Sequence, residues 1–446
     1  MASGVILRGV QMPRRSRMIR HAYSALFYLL VPILILRMLW RSRLAPEYRK
    51  RLRERFGLIN TTELDPAKDC LWVHAVSVGE VLAAAPVIEH LLSDYPQYQV
   101  VVTTTTPTGS ERVLSLFGRR VFHVYAPWDL PGSCARFVRH VRPKLLIILE
   151  TELWPNMIHH VVLQGAKILL ANARLSERSA RGYARVESLT ADTLGQLDCV
   201  ACQTQADGDR FHKLGLLSSR LRVTGSIKYD IHIDEVLRAS SRTLRQQLAA
   251  DTRPVVVAAS THPGEESQIL EAFAELREHL PNCLLVIVPR HPERFDAVFK
   301  QCRDARWTIQ RRTQAGVIDA RTDILLGDTM GELLLLLSTA DVAVIGGSLV
   351  PHGGHNVLEA AVWGVPAIAG PHMFNFADVS ERMVKAGAMI QLSDSRCLSQ
   401  ELSGLLQDQH RLQQMSVACQ QVLQENRGAR EQLLGMIEEL LSAVSR

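Results

Sequence analysis

Asp341-Val-Ala-Val-Ile-Gly-Gly-Ser-Leu-Val-Pro-His-Gly-Gly-His-Asn-Val-Leu-Glu-Ala-Ala-Val-Trp-Gly-Val-Pro366 reads as a buried strand, a glycine-rich loop and the opening of a helix. Gly346, Gly347, Gly353 and Gly354 let the backbone take positive φ and come close to a ligand. A helix starting near Asn356 would aim free N–H groups and the positive end of its dipole at a phosphate. Glu359, three residues on, could accept hydrogen bonds from a ribose diol. The plainer reading of the same spacing is a capping box, with Asn356 as N-cap and Glu359 as its partner, which needs no ligand.

The strand–loop–helix unit recurs on both sides of this stretch. Leu71–Ala75, Val100–Thr104, Lys144–Leu149 and Lys167–Ala171 are apolar strands, and helical patterns follow at Glu80–Leu92, Gly109–Phe117 and Trp154–Leu163. Asp198–Gln203 and Arg222–Thr224 continue the series. After a polar helical stretch around Ile231–Ala250, which reads as an interdomain connection, it restarts with Val255–Ala259, Leu284–Val288, Ile324–Gly327, Val342–Ile345 and Ala367–Ala369. Alternation of this kind means parallel strands joined by right-handed crossovers. The expected fold class is α/β: two doubly wound, Rossmann-like domains facing a cleft, with ligands at the strand C-terminal ends. Expected boundaries are 1–56 for a basic extension and anchor, 57–232 for an acceptor-binding domain, and 233–446 for a nucleotide-binding domain that includes the leucine-rich terminal helices.

The composition is that of a folded protein, with 47% hydrophobic and 22% charged residues in 446. Charge is unevenly distributed. Residues 1–56 carry thirteen Arg/Lys against Glu47 and Glu54, a net of +11 in a chain of formal charge +6, so the remainder is at −5. The positive excess flanks the apolar run Ala22–Leu36, which points to anionic lipid headgroups rather than nucleic acid. That run is about fifteen to nineteen residues, short for a span of roughly twenty. No small-residue cleavage site follows it, and the basic run to Arg55 would resist translocation. The segment is therefore expected to anchor to, or barely cross, a membrane whose cytoplasmic face holds the rest of the chain; the plainer reading is a helix packed on the first domain. Eight cysteines without framework spacing suit free thiols, and Cys199 and Cys202 fall within a short strand.

Chemistry-bearing residues cluster just beyond the strands. Glu80, in Ser77-Val-Gly-Glu80, stands where a strand ends and a helix begins, as a general base for a hydroxyl would; its plainer role is a favourable charge in a helix first turn. Ala75-Val-Ser-Val-Gly79 approaches a nucleophile elbow, but Ala75 replaces the first glycine and no histidine stands out as its partner. Glu150 and Glu152, in Glu150-Thr-Glu-Leu-Trp-Pro-Asn156, are costly beside a buried strand unless paired with cations. Lys228 and Arg290 are such cations and could neutralise a departing phosphate. Gly327-Asp-Thr-Met-Gly-Glu332 is a further strand-to-helix turn whose backbone could edge a base. His262, His291, His352 and His355 fall in three loops with no metal-ligand spacing, so no metal is expected.

These residues, together with Ala171–Ser176 and Ser260–Glu266, resemble the 3-deoxy-D-manno-octulosonic acid (Kdo) transferases of lipopolysaccharide synthesis, from about Ala22 to the C-terminus. The resemblance implies a GT-B glycosyltransferase fold, CMP-Kdo as donor substrate, a lipid A precursor (lipid IVA) as acceptor, inversion at the anomeric carbon and no cofactor. It also implies a place on the cytoplasmic side of the cell inner membrane, against its lipid surface. By motif, Glu80 would accept the proton, and Glu150 and Lys228 would stabilise the transition state. Pro289, Arg290, Met330, Gly331, Glu332, Asn356, Val357, Leu358 and Glu359 would hold CMP. Competing expectations are a nucleotide-sugar epimerase of similar architecture, which would need no anchor, and a noncatalytic membrane-tethered sugar-nucleotide sensor.

Overall fold

A computed structural model describes residues 14–43, 49–231, 233–314, 318–319 and 321–443. The first thirteen residues of the expected basic extension lie outside the described residues. Two compact units are present. One runs through Lys228 and takes in the chain again from Gly428; the other is Tyr229–Arg427.

The first unit is built on a seven-stranded parallel sheet of β1 (Cys70–His74), β2 (Gln99–Thr104), β3 (Phe122–Tyr125), β4 (Pro143–Leu149), β5 (Lys167–Ala173), β6 (Cys199–Cys202) and β7 (Leu221–Val223), in the order β3-β2-β1-β4-β5-β6-β7. Chain order reverses between β1 and β4. The central strands β1, β4 and β5 are rich in Val, Ile and Leu and buried on both faces, as parallel strands covered by helices must be. Phe137, Met157 and Phe211 cover one face, while Val81, Ile88 and Leu91 cover the other.

The second unit repeats the plan with β8 (Val255–Thr261), β9 (Leu284–Pro289), β10 (Ile309–Arg311), β11 (Ile324–Leu326), β12 (Val342–Ile345), β13 (Ala367–Ala369) and β14 (Met389–Gln391). Its order is β10-β11-β9-β8-β12-β13-β14, reversing between β8 and β12. In open parallel sheets, ligands bind outside the strand carboxyl ends where the order reverses. Each sheet thus marks its own candidate site.

Three expectations are corrected. The helix Glu235–Gln247 is no linker, because Leu244 and Leu248 are buried in the second unit's core. The last helix, Ala429–Ser442, belongs to the first unit, since Leu433, Met436 and Ile437 are buried against the sheet face that carries Leu71 and Val73. Nor does the whole basic segment face lipid. Arg55 is buried and donates to the carbonyl of Thr105 at 2.8 Å, and Arg51 donates to the carbonyl of His123 at 2.9 Å; both guanidiniums lie over the Tyr125 ring. These arginines hold the entry to the first unit together.

The apolar run is longer as a helix than it reads as a sequence. Arg14–Arg41 is one helix containing Pro32, and its stretch Arg17–Trp40, 24 residues, is long and apolar enough to cross a membrane. At about 1.5 Å per residue it reaches about 36 Å. Leu29, Ile33, Leu36 and Trp40 are exposed, as is unusual for a helix of a water-surrounded domain. Its polar foot is docked on the first unit. Asn156 donates through Nδ2 to the Ser24 hydroxyl at 3.0 Å and to the Asp129 carbonyl at 2.7 Å, while the buried Asp129 carboxylate caps the helix Pro155–Leu163 by accepting from the backbone of Asn156 and Met157.

Candidate active site

In the first unit, β1 and β4 end side by side where the strand order reverses, and each delivers carboxylates. Ser77 caps the helix Val78–Asp94, and its hydroxyl donates to Glu80 Oε1 at 2.8 Å; the Val76 N–H donates to Oε2 at 2.7 Å. The helix-cap reading of Glu80 is therefore present in the geometry, and Ser77 is engaged in that cap. Burial adds what a cap does not need. Glu80 is 7% exposed, and loss of solvation pushes its pKa up to about 7, with the Val76 hydrogen bond opposing and Glu150 and Glu152 adding to the rise. A carboxyl group poised there is half ionised near neutrality, as suits a general base.

Glu150 follows β4 with φ 57°, a left-handed conformation that costs a residue with a side chain ~1–2 kcal/mol. The strain is held by its neighbours: Glu150 donates its N–H to the Ala171 carbonyl at 3.0 Å and accepts from Lys228 Nζ at 2.5 Å. The two residues expected to act together are thus brought into contact across 78 positions of sequence. Glu152 accepts from Trp154 Nε1 at 2.7 Å, and burial raises its pKa.

Two supporting residues were not singled out from the sequence. Asn172, also left-handed at φ 53°, accepts the Ile227 N–H through Oδ1 at 3.2 Å and so positions the turn carrying Lys228. His74 lies fully buried beneath the edge of Trp154, with ring centroids 5.1 Å apart, and loss of solvation pushes its pKa down to about 3, so the ring is neutral. Asn172 lay within a motif that carried the resemblance; His74 gave no signal beyond its place at the end of a strand.

In the second unit, the loops after β8, β9, β11 and β12 share the carboxyl edge of their sheet. The glycine loop differs from expectation. The helix after it is only Leu358–Ala361, its N-cap position is Val357 rather than Asn356, and Asn356 Oδ1 accepts from the Leu358 N–H at 3.2 Å. Val357 and Leu358 are buried in the core, side chain and backbone alike, while Asn356 and Glu359 on either side of them are half-buried. The glycines serve packing within the protein: a Cβ on Gly346 would lie 2.2 Å from the Ser260 carbonyl oxygen, and one on Gly354 equally close to Met373 Sδ. Glu265, with no exposed surface, holds the loop by accepting from the backbone N–H groups of Gly347, Leu349 and His262 at 2.7, 2.9 and 2.8 Å.

Pro289 is buried at the end of β9, and Arg290 follows it. Arg294, in the same motif, forms a two-pronged pair with the buried Glu266 at 2.5 and 3.1 Å. Arg290 has no ion-pair partner among the described residues, which leaves it as the cation open to an anion. Met330 is largely exposed, Gly331 is left-handed at φ 82°, and Glu332 is paired with Arg312 at 3.2 Å. The four histidines expected to be scattered meet here instead. His262 Nε2 lies 2.8 Å from His355 Nε2, and the His262 ring stacks on His352 at 4.3 Å and meets the edge of His291 at 5.6 Å. Burial pushes the pKa of His262 down to about 4, and the charge of Arg290 contributes to that shift. Among the described residues, no group of three or more His, Cys, Asp or Glu side chains is placed to hold a metal ion.

Residues 50–231 match the family model of the 3-deoxy-D-manno-octulosonic-acid transferases. A 3-deoxy-D-manno-octulosonic acid transferase of Haemophilus influenzae is 40% identical over 426 residues, covering 95% of this chain and 99% of the relative. The chain belongs to the Kdo transferase family. A second relative of the same name, from Bordetella pertussis, is 34% identical over 432 residues, again covering 95% and 99%. Residues 242–421 match the model of the group 1 glycosyl transferases. The crystal structure of MurG from Acinetobacter baumannii aligns over 83% of this Kdo transferase and 99% of that chain, with a TM-score of 0.52 at 14% identity, a likeness of fold. The enzyme is thus a glycosyltransferase of GT-B architecture.

Proposed function

We propose that this Kdo transferase moves Kdo from CMP-Kdo to a hydroxyl of lipid IVA, a lipid A precursor, with inversion at the anomeric carbon. The observation that carries the reading is Glu80, a buried carboxyl group with its pKa pushed up to about 7, beside the ion-paired Glu150 and Lys228 at the strand reversal of the first sheet. The ionised Glu80 takes the proton of the acceptor hydroxyl as its oxygen attacks the anomeric carbon. The bond from that carbon to the CMP phosphate breaks, and the electron pair leaves with the phosphate. Glu150 and Lys228 stabilise the charge that develops around the sugar. The second unit holds CMP: Arg290 against the phosphate, with Met330, Gly331, Glu332, Asn356 and Glu359 around the nucleoside and the buried Val357 and Leu358 supporting the turn between the last two. The test is incubation with CMP-Kdo and a tetraacylated disaccharide acceptor, followed by mass spectrometry. An acceptor carrying added Kdo is expected, and release of CMP with no change in lipid mass would overturn the acceptor assignment.

The same reading places the protein at the cytoplasmic face of the inner membrane, on the support of the exposed apolar helix Arg14–Arg41. Removal of residues 1–43, which spares Arg51 and Arg55, should release it to the soluble fraction. Retention on the membrane in high salt would name another surface as the anchor.

A further inference from the structure

The helix Glu177–Ala184 leaves β5 beside the catalytic carboxylates. Tyr183 on this helix donates through its hydroxyl to the carbonyl of Thr151, between Glu150 and Glu152, at 3.4 Å. Ala180 and Tyr183 pack on the core, and no residue of the helix is fully buried. The opposite face carries Arg178, Arg181 and Arg185, three and seven residues apart and so on one side of the helix. All three are exposed, and among the described residues none has an ion-pair partner; the acidic Glu177 of the same helix lies 3.9 Å from Arg210 instead. Beyond this helix, Glu187–Gly195 packs against the apolar helix Arg14–Arg41. Within the first unit, the helix that carries the arginines thus joins the turn of Glu150 and Glu152, through Tyr183, to the helix Glu187–Gly195 that packs on the apolar helix.

Like charges at three- and four-residue helical spacing repel one another, and an anion held between them relieves that. Guanidinium forks match the oxygens of a phosphate. We propose that Arg178, Arg181 and Arg185 bind a phosphate monoester of the acceptor glycolipid, whose acyl chains run toward the apolar helix while its hydroxyl reaches Glu80. The inference rests on the proposed lipid acceptor and names the group by which the enzyme recognises it.

The test compares wild type with the triple variant Arg178→Ala/Arg181→Ala/Arg185→Ala on the bisphosphorylated acceptor and on the same acceptor after phosphatase treatment. The variant should show a KM for the phosphorylated acceptor raised by about tenfold or more, with kcat nearly unchanged. Wild type should show the same rise on the dephosphorylated acceptor, and the variant should add none to it. Both proteins should bind acceptor-free phosphatidylglycerol vesicles equally, and a triple Lys variant should fall between, having charge without the fork. An unchanged KM in the variant overturns the inference, as does an equal rise on both acceptors. A rise matched by lost vesicle binding overturns it too, because the arginines would then be reading bulk headgroups. Failure of wild type to transfer Kdo to either acceptor would overturn the proposed function and this inference with it.

Discussion

Glu80 and Glu265 occupy corresponding places in the two units. Each follows the first strand of its sheet, each stands in the first turn of the next helix, and each is buried, which raises its pKa. They differ in what surrounds the carboxylate. Glu265 accepts three backbone N–H groups, two of them from the glycine loop more than eighty residues away, and has no surface open to water. Glu80 accepts one backbone N–H and one hydroxyl from its own turn, keeps a little surface exposed, and has two further carboxylates, Glu150 and Glu152, near enough to raise its pKa. One fold position can therefore hold a loop in place or hold a proton. The number of donors spent on the carboxylate decides which, because each donor that satisfies the ion removes a reason for it to take up a proton.

The largest effect should come from Glu80→Gln, which keeps the shape and cannot accept a proton. Turnover should fall by about 10²–10⁴-fold, while CMP affinity, measured by calorimetry, stays close to wild type. Near-normal turnover would move the base to Glu150 or Glu152. In wild type, kcat/KM should rise with pH through about 7 as Glu80 ionises. Linkage gives the sign for stability. A carboxyl group whose folded pKa is raised stabilises the fold when protonated, so Glu80's contribution is full below its ordinary 4.5 and is lost as pH climbs to about 7. The loss is about 3 kcal/mol by the usual conversion, and denaturant titrations of Glu80→Gln should show a correspondingly weaker dependence over that window.

Arg290→Ala ranks next. It should weaken CMP binding by about 1.5–3 kcal/mol, the range for a charged hydrogen bond, with little change in stability because the side chain has no ion-pair partner to abandon among the described residues. Unchanged affinity would remove it from the site. Glu265→Gln should be the mildest for chemistry and the more telling for structure. An amide turned toward three N–H donors leaves at least one unsatisfied, at about 1–3 kcal/mol of unfolding free energy. CMP binding should weaken through the displaced loop, and kcat/KM should keep its rise near pH 7. Loss of that rise in Glu265→Gln would break the division of labour drawn between the two glutamates.

The alternation of apolar runs with helical patterns is local information, set by periodicity and by which residues tolerate burial on both faces. It sufficed for two parallel sheets, for the glycine loop after β12 and for the carboxylates beyond β1 and β4. The apolar run Ala22–Leu36 likewise marked the N-terminal helix, long and apolar enough to cross a membrane. Short strands such as Phe122–Tyr125, Ile309–Arg311 and Met389–Gln391 escaped because three or four residues carry too little periodicity to separate from loop. Partnership was beyond the sequence for a different reason. The order of strands decides which loop ends become neighbours, and that order joins Glu150 to Lys228, gathers four histidines from separate loops, returns the last helix to the first unit, and spends Arg294 on Glu266 while leaving Arg290 open to an anion. Burial decides the rest: the carboxylate that reads as a simple helix cap at Glu80 has its pKa pushed up to about 7 chiefly because packing around it excludes water.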